Sequence, residues 1–149
     1  MKSLIFDFNG TIFDPATDAL FPDTISLLES LRTDYTLFLL GKGDSRRREL
    51  VAQLGLEPYF KEIIIKPGKT VADMRKFQEK YPESEFCVIG DRIKSEITAG
   101  IQAGFHTIWI RRGNFAHETP LTDSEKPDFT IQDLSEIPEI LPQITNLGI

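Results

Sequence analysis

Two aspartates accompany apolar segments that are typical of buried strands. Asp7 stands in the segment Ser3–Phe8, and Asp91 follows the segment Phe86–Ile89 and one glycine. Two carboxylates at adjacent strand ends raise the pKa of one of them, and a hard divalent cation removes that conflict. Aspartate also acts as a nucleophile in phosphoryl transfer. The pair therefore predicts a Mg²⁺ site at which Asp7 accepts a phosphoryl group.

Lysine and glycine follow two further predicted strands, Tyr35–Leu40 and Ile63–Ile65. A lysine at such a strand end can neutralise the oxygens of a transferring phosphoryl group. Lys69 is the first candidate, and Lys66 competes with it because both follow the same strand. The segment 41–43 predicts a glycine-containing turn that leads to a helix N-terminus, which favours anions.

Apolar strands alternate with amphipathic helices along the chain. This order implies right-handed crossovers and a mainly parallel sheet, with the ligand site at the carboxyl ends of the strands. The remaining predicted strands are Thr107–Ile110 and Phe129–Ile131. The predicted helices are Pro22–Arg32, a helix N-capped by Asp44 and ending at Leu54, a helix opened by a Thr70–Asp73 capping box and ending near Lys80, Ser95–Ala103, and a short helical region from Asp133.

Composition excludes several classes of protein. The 149 residues fit one domain, expected over 1–149, and the net charge of −6 opposes general nucleic-acid binding. Cys87 is the single cysteine, so no intramolecular disulfide forms, and its apolar neighbours predict burial. No apolar segment reaches the roughly 20 residues that span a bilayer, and Asp7 interrupts the first apolar run. We expect no membrane association and a cytoplasmic location.

Four segments in order along the chain resemble the motifs of one family. They are Asp7–Thr11, Phe38–Asp44, Lys69-Thr70 and Gly90–Ile97. Together they resemble the haloacid dehalogenase (HAD) superfamily of phosphatases: its Asp-x-Asp-x-Thr signature, its second-motif loop, the lysine that opens the helix after the third strand, and its acidic fourth motif. The resemblance covers roughly residues 1–112 and implies a Rossmann-like three-layer α/β sandwich.

The resemblance also implies a role for each matching residue. Asp7 is expected to be the nucleophile and a Mg²⁺ ligand, with the backbone carbonyl of Asn9 and the carboxylate of Asp91 as the other protein ligands. Lys69 is expected to bind phosphate and to hold Asp7. The implied substrate-binding residues are Gly10, Thr11, Gly41 and Lys42.

Four positions depart from the family pattern. Asn9 replaces the general acid/base aspartate, so it can neither protonate a leaving group nor activate water, which is typically worth about 10²–10⁴-fold in rate. Gly41 replaces a Ser or Thr hydroxyl. Lys94 and Glu96 stand where acidic residues, often Asp, are usual; Glu96 is long enough to reach the metal through water, whereas Lys94 lowers the negative charge. We therefore expect slow turnover.

The connections leave no room for a cap domain, because Phe13–Leu20 suffices only for a flap and Gly41–Glu62 for one helix. An uncapped site fits a bulky or macromolecular phosphorylated substrate, or a partner chain that closes it. The run Arg46–Arg48 is either a solvated helix face or an anion contact beside that site. The oligomeric state stays open.

The leading hypothesis is a Mg²⁺-dependent phosphatase-like hydrolase with weak activity. The alternative is a catalytically inactive domain of the same fold that binds phosphate or a partner. A third option is a response-regulator-like receiver, but its phosphorylated Asp lies on a strand in the middle of the chain order, whereas Asp7 lies on the first strand and is followed by Gly10-Thr11. Dehalogenase action is disfavoured because Asp91 and Lys69 fit a metal–phosphate site better.

Overall fold

The computed structural model describes residues 2–144, which include a six-stranded sheet and a two-stranded hairpin. The predicted bounds of 1–149 include residues 1 and 145–149, which lie outside the described residues. The strands are β1 (Lys2–Phe6), β2 (Phe13–Asp14), β3 (Ala19–Leu20), β4 (Thr36–Lys42), β5 (Glu62–Lys66), β6 (Glu85–Gly90), β7 (His106–Ile110) and β8 (Phe129–Ile131). The α-helices are α1 (Thr24–Leu31), α2 (Ser45–Gln53), α3 (Val71–Lys80), α4 (Thr98–Gln102) and α5 (Ile137–Ile140).

The sheet has the order β5-β4-β1-β6-β7-β8, and each neighbouring pair is parallel. This confirms the predicted α/β class with a mainly parallel sheet. The two central strands, β1 and β6, are paired with Phe6 opposite Ile89. Cys87 of β6 is fully buried, as predicted. No helix within residues 2–144 is both long and apolar enough to cross a bilayer.

Alternate strand residues enter two apolar layers, one on each face of the sheet. In β1, Leu4 and Phe6 belong to the cluster that includes residues of α1, α2 and α5. Ile5 between them belongs to the other cluster, with Met74 of α3 and Ala99 of α4. A sheet covered on both faces explains why the strands are almost continuously apolar. The three-layer Rossmann-like architecture is confirmed.

Local capping signals determine where two helices begin. The side chain of Asp44 accepts a hydrogen bond from the backbone N–H of Arg46 at 3.0 Å and N-caps α2. Thr70 and Asp73 form the reciprocal capping box of α3. Both predictions are confirmed, because such caps depend only on residues three or fewer positions apart.

The prediction that a helix spans Ser95–Ala103 is wrong about the residue at which the helix begins. A π-helical turn, Ile93–Ile97, precedes α4, and Ser95 within it has non-helical angles (φ −129°, ψ −105°). The carboxylate of Glu96 accepts a hydrogen bond from the backbone N–H of Asp91 at 3.1 Å. The chain therefore closes around this side chain before the α-helix begins.

Two connections border the carboxyl edge of the sheet. Residues 9–23 contain the β2–β3 hairpin, which the sequence did not predict, and the Phe8 ring stacks on Phe13 of that hairpin at 5.0 Å. Residues 43–61 contain α2 and a 3₁₀ turn, Glu57–Tyr59. Within the part of the chain that the structure describes, neither connection holds an inserted domain. The region 113–127 contains two 3₁₀ turns, Gly113–Phe115 and Asp123–Glu125.

Candidate active site

Asp7 and Asp91 meet at the carboxyl edge of the sheet. Each directly follows one of the two central strands, and the backbone N–H of Asp7 donates to the carbonyl of Ile89 at 3.0 Å. Both aspartates are buried. The indole N–H of Trp109 on β7 donates to the Asp91 carbonyl at 2.8 Å and holds that backbone in place. The predicted convergence of the two carboxylates is confirmed.

Glu96 adds a third carboxylate to this pair. Asp7, Asp91 and Glu96 each place a carboxylate oxygen within 4.8 Å of the others. Glu96 is oriented by the backbone N–H groups of Asp91 and Arg92, which donate to its Oε1 at 3.1 and 3.2 Å. A side chain at Gly90 would place a Cβ 2.3 Å from that oxygen, so only glycine allows this approach. Glu96 is therefore a direct member of the cluster.

Lys69 is the lysine that reaches the cluster. Its Nζ donates to Asp7 Oδ1 and lies 3.3 Å from Glu96 Oε2, and its side chain is only 6% exposed. Lys66 instead forms an ion pair with Asp73 of α3. The geometry thus separates two lysines that the sequence left as alternatives.

Two residues of the loop after β1 contact the aspartates. Thr11 is buried, and its hydroxyl donates to Asp7 Oδ2 at 3.2 Å. Gly10 has φ +81°, and a Cβ at this position would lie 2.1 Å from Asp91 Oδ2. Both the backbone angle and the lack of space require glycine here.

The cluster is short of positive charge. Three carboxylates face one ammonium group, that of Lys69. Burial, followed by the charges of Asp7 and Glu96, raises the pKa of Asp91, and burial and Asp7 raise the pKa of Glu96. Burial opposes the charge on Lys69, but the carboxylates of Asp7 and Glu96 outweigh it and raise its pKa. Converging carboxylate oxygens with excess negative charge fit a hard divalent cation such as Mg²⁺.

The cluster opens into a cleft of about 420 Å³. Asn9 is exposed at its edge, so an amide occupies the place expected for an acid/base group. The exposed Lys42 also lines the cleft. The lining residues are Asp7, Asn9, Lys42, Gly43, Arg47, Lys69, Asp91, Arg92, Ser95, Glu96 and Phe115.

The predicted residues Gly10 and Thr11, which contact the aspartates, do not line the cleft, and neither do Gly41 and Lys94. Gly41 is buried in β4, where a Cβ would lie 2.9 Å from Ile65 and 3.4 Å from Phe8, so its substrate-binding role stays a prediction. Lys94 is exposed, and its backbone N–H donates to a carboxylate oxygen of Glu118 at 3.3 Å.

The sequence analysis assigned no role to the lining residues Arg92, Ser95 and Phe115, and it left Arg47 within a run that was either a solvated face or an anion contact. The guanidinium of Arg47 lies 5.0 Å from the centre of the Phe8 ring, beside the nucleophile candidate. The triple-arginine run was the available signal. It did not distinguish Arg47 from Arg46, whose side chain is 90% exposed.

Several known proteins are similar to this chain in sequence. A family model described as HAD-hydrolase-like matches residues 64–137. The pyrimidine 5'-nucleotidase YjjG of Escherichia coli (strain K12) is 28% identical over 129 residues, which cover 80% of this chain and 56% of that protein. The chain spans about half the length of the curated relatives that it matches.

Solved structures share the fold. The HAD phosphatase from Thermococcus onnurineus superposes with a TM-score of 0.77 at 17% identity and covers 100% of both chains. The HAD-hydrolase YfnB from Bacillus subtilis, bound to magnesium, has a TM-score of 0.70 at 23% identity and covers 83% of this chain and 56% of its own. The family match, the sequence relatives and the shared fold make this chain similar to hydrolases and phosphatases of the HAD superfamily.

Proposed function

We propose that the chain is a Mg²⁺-dependent phosphatase that uses Asp7 as nucleophile and turns over slowly. One observation carries this: the buried Asp7 carboxylate is held by Lys69 and Thr11 beside two further carboxylates, at the base of an open cleft. An oriented carboxylate next to a fixed cation is suited to attack a phosphoryl group.

The metal site we propose consists of Asp7, Asp91, the backbone carbonyl of Asn9 and, directly or through water, Glu96. When bound, Mg²⁺ supplies charge that neutralises the phosphoryl oxygens. The excess of carboxylate over ammonium charge in the cluster supports this assignment, as does the magnesium in the similar YfnB structure.

The proposed reaction has two steps. A carboxylate oxygen of Asp7 attacks phosphorus, and the ester P–O bond breaks with its electron pair on the leaving oxygen, which takes a proton from solvent. Water then attacks the phosphorus of the aspartyl-phosphate, releasing inorganic phosphate and a proton to solvent and restoring Asp7. Lys69 neutralises the phosphoryl oxygens in both steps. Asn9 assists neither proton transfer, so the second step is slow.

The test is hydrolysis of p-nitrophenyl phosphate with Mg²⁺. We expect weak activity in the native chain and none in Asp7→Ala, with Asp34→Ala as a matched control because Asp34 is exposed and precedes β4 at the opposite edge. Intact mass spectrometry after incubation with acetyl phosphate is expected to show one phosphoryl group on the native chain. Full activity in Asp7→Ala would refute the assignment of Asp7 as the nucleophile.

The second candidate is an inactive domain that binds phosphate or a partner. Asn9 at the cleft edge favours it, because no titrating carboxyl occupies that position. An inert native chain that becomes active as Asn9→Asp would select this candidate. In either case the described connections carry no cap, and we propose a site open to a phosphorylated substrate.

A further inference from the structure

A second open groove of about 530 Å³ lies beside the reaction cleft and is bordered by cations. It shares Lys42, Gly43 and Arg47 with the cleft, and Arg46 extends its wall. Its one acidic lining residue, Asp44, N-caps α2 and also lies 3.9 Å from the exposed guanidinium of Arg46. The whole chain carries a net charge of −6, so this positively charged wall differs in sign from the protein as a whole.

Arg47 is the central group of this wall. Its guanidinium lies over the Phe8 ring at 5.0 Å, and the residue is half-buried. Among residues 2–144, no carboxylate forms an ion pair with Arg47 or Lys42. An oriented guanidinium without a carboxylate partner suits bidentate binding of phosphate.

We propose that this basic shelf, defined by Lys42, Arg46 and Arg47, binds a second anionic group of the substrate, and that the preferred substrate is a small bisphosphorylated compound. Since the first phosphate is placed at Asp7, this rests on the proposed function. The shelf and the cleft adjoin, so one molecule can occupy both. Three cations on an acidic chain are too few for the phosphate contacts that nucleic-acid binding requires.

The test compares the binding of two sugars that differ by one phosphate. Fructose 1,6-bisphosphate and fructose 6-phosphate are titrated calorimetrically with Mg²⁺ into the full chain carrying Asp7→Asn, which prevents turnover. We expect the bisphosphate to bind roughly tenfold tighter, as charge-assisted contacts allow. Adding Arg46→Gln and Arg47→Gln should remove most of that preference.

Arg48→Gln is the matched control, because it removes the same charge from the same helix. The Arg48 guanidinium donates to the Ile63 carbonyl at 2.6 Å and lines neither cavity. The double variant could unfold because Arg47 loses its contact with Phe8. In that case Arg46→Gln alone tests the proposal, because the Arg46 side chain is 90% exposed and does not support the fold. We expect this single variant to lower the preference for the bisphosphate by roughly twofold.

Three outcomes would contradict the proposal that the basic shelf binds a second phosphate. They are equal affinity for both sugars, a loss of preference in Arg48→Gln as large as in the double variant, and tighter binding of a 5'-phosphorylated oligonucleotide than of the bisphosphate. Because the readout is binding, the two proposals fail separately. If the native chain hydrolyses nothing, the proposed hydrolase function is refuted. If the double variant still loses the bisphosphate preference, the proposal of a second anion site is supported all the same.

Discussion

Lys69 and Asp7 lie 62 residues apart in the chain and form a buried ion pair, with side chains 6% and 5% exposed. The same ammonium lies 3.3 Å from Glu96, so one cation connects the end of β1 with the turn after β6. A single ammonium leaves the three-carboxylate cluster in excess negative charge. Most of the testable behaviour of the site follows from this imbalance.

Restoring a carboxyl at position 9 should increase turnover. We expect Asn9→Asp to raise the hydrolysis rate by up to about 10²–10⁴-fold, since it returns a general acid/base to the cleft. The gain should be larger for glycerol 2-phosphate than for p-nitrophenyl phosphate, because the alkoxide leaving group needs a proton. Asn114→Asp is the control, because it adds the same carboxyl in a separate cavity that also borders Asn9 and Asp91, whereas Asn114 does not line the cleft. A gain equal for both substrates would contradict the acid role.

The metal-free protein should lose stability as pH rises. The raised pKa values of Asp91 and Glu96 mean that, above their unfolded values of about 3.9 and about 4.3, the folded state binds more protons than the unfolded state. The free energy of unfolding therefore falls with increasing pH. Urea unfolding with EDTA between about pH 5.5 and about pH 8 measures this slope, and Mg²⁺ should reduce it by replacing the missing charge.

The variant Asp91→Asn provides the control for that pH series. Removing one crowded carboxylate should flatten the metal-free slope and also reduce the stabilisation by Mg²⁺. An unchanged slope in Asp91→Asn would show that the pH dependence arises elsewhere in the protein.

Gly10→Ala should destroy the Mg²⁺ response. The new Cβ would lie 2.1 Å from Asp91 Oδ2 and must displace that carboxylate. Gly55→Ala is closely matched, because Gly55 has φ +73°, close to the +81° of Gly10, but no atom within 4 Å of its Cβ. It should cost only about 1 kcal/mol of backbone strain and keep the full Mg²⁺-induced rise in Tm. Equal Mg²⁺ responses in the two variants would contradict the close packing.

Asp73 is expected to position Lys69. It pairs with Lys66 and accepts hydrogen bonds from the N–H and hydroxyl of Thr70, the residue after Lys69. Asp73→Asn should lower stability by about 1 kcal/mol and reduce hydrolysis severalfold, measured by thermal unfolding and initial rates.

Glu136→Gln is the control for Asp73→Asn, because it alters the equivalent position of the capping box at Asp133, within the C-terminal region. It should lower stability by a similar amount without affecting the rate. If both variants slow hydrolysis equally, Asp73 acts only through global stability.

Local sequence patterns determined much of the fold. Apolar runs predicted the six parallel strands, and Asp44 and the Thr70–Asp73 pair predicted helix starts, because caps and strand periodicity involve residues close together in the chain. Ligand sites of parallel sheets lie at the carboxyl ends of the strands, and this predicted that Asp7 and Asp91 converge. The hairpin of β2 and β3 was missed because each strand has only two residues, too few for any periodicity.

The sequence by itself thus determined the α/β class, the strand ends that carry the acidic residues, and the amide at position 9. Only the tertiary structure decided that Lys69 rather than Lys66 reaches Asp7, that Glu96 joins the carboxylates, and that Arg47 faces the cleft. These depend on how a helix start and a π-helical turn pack against strands distant in the chain. Neighbouring residues of the same type, such as the two lysines, are distinguished only by that packing.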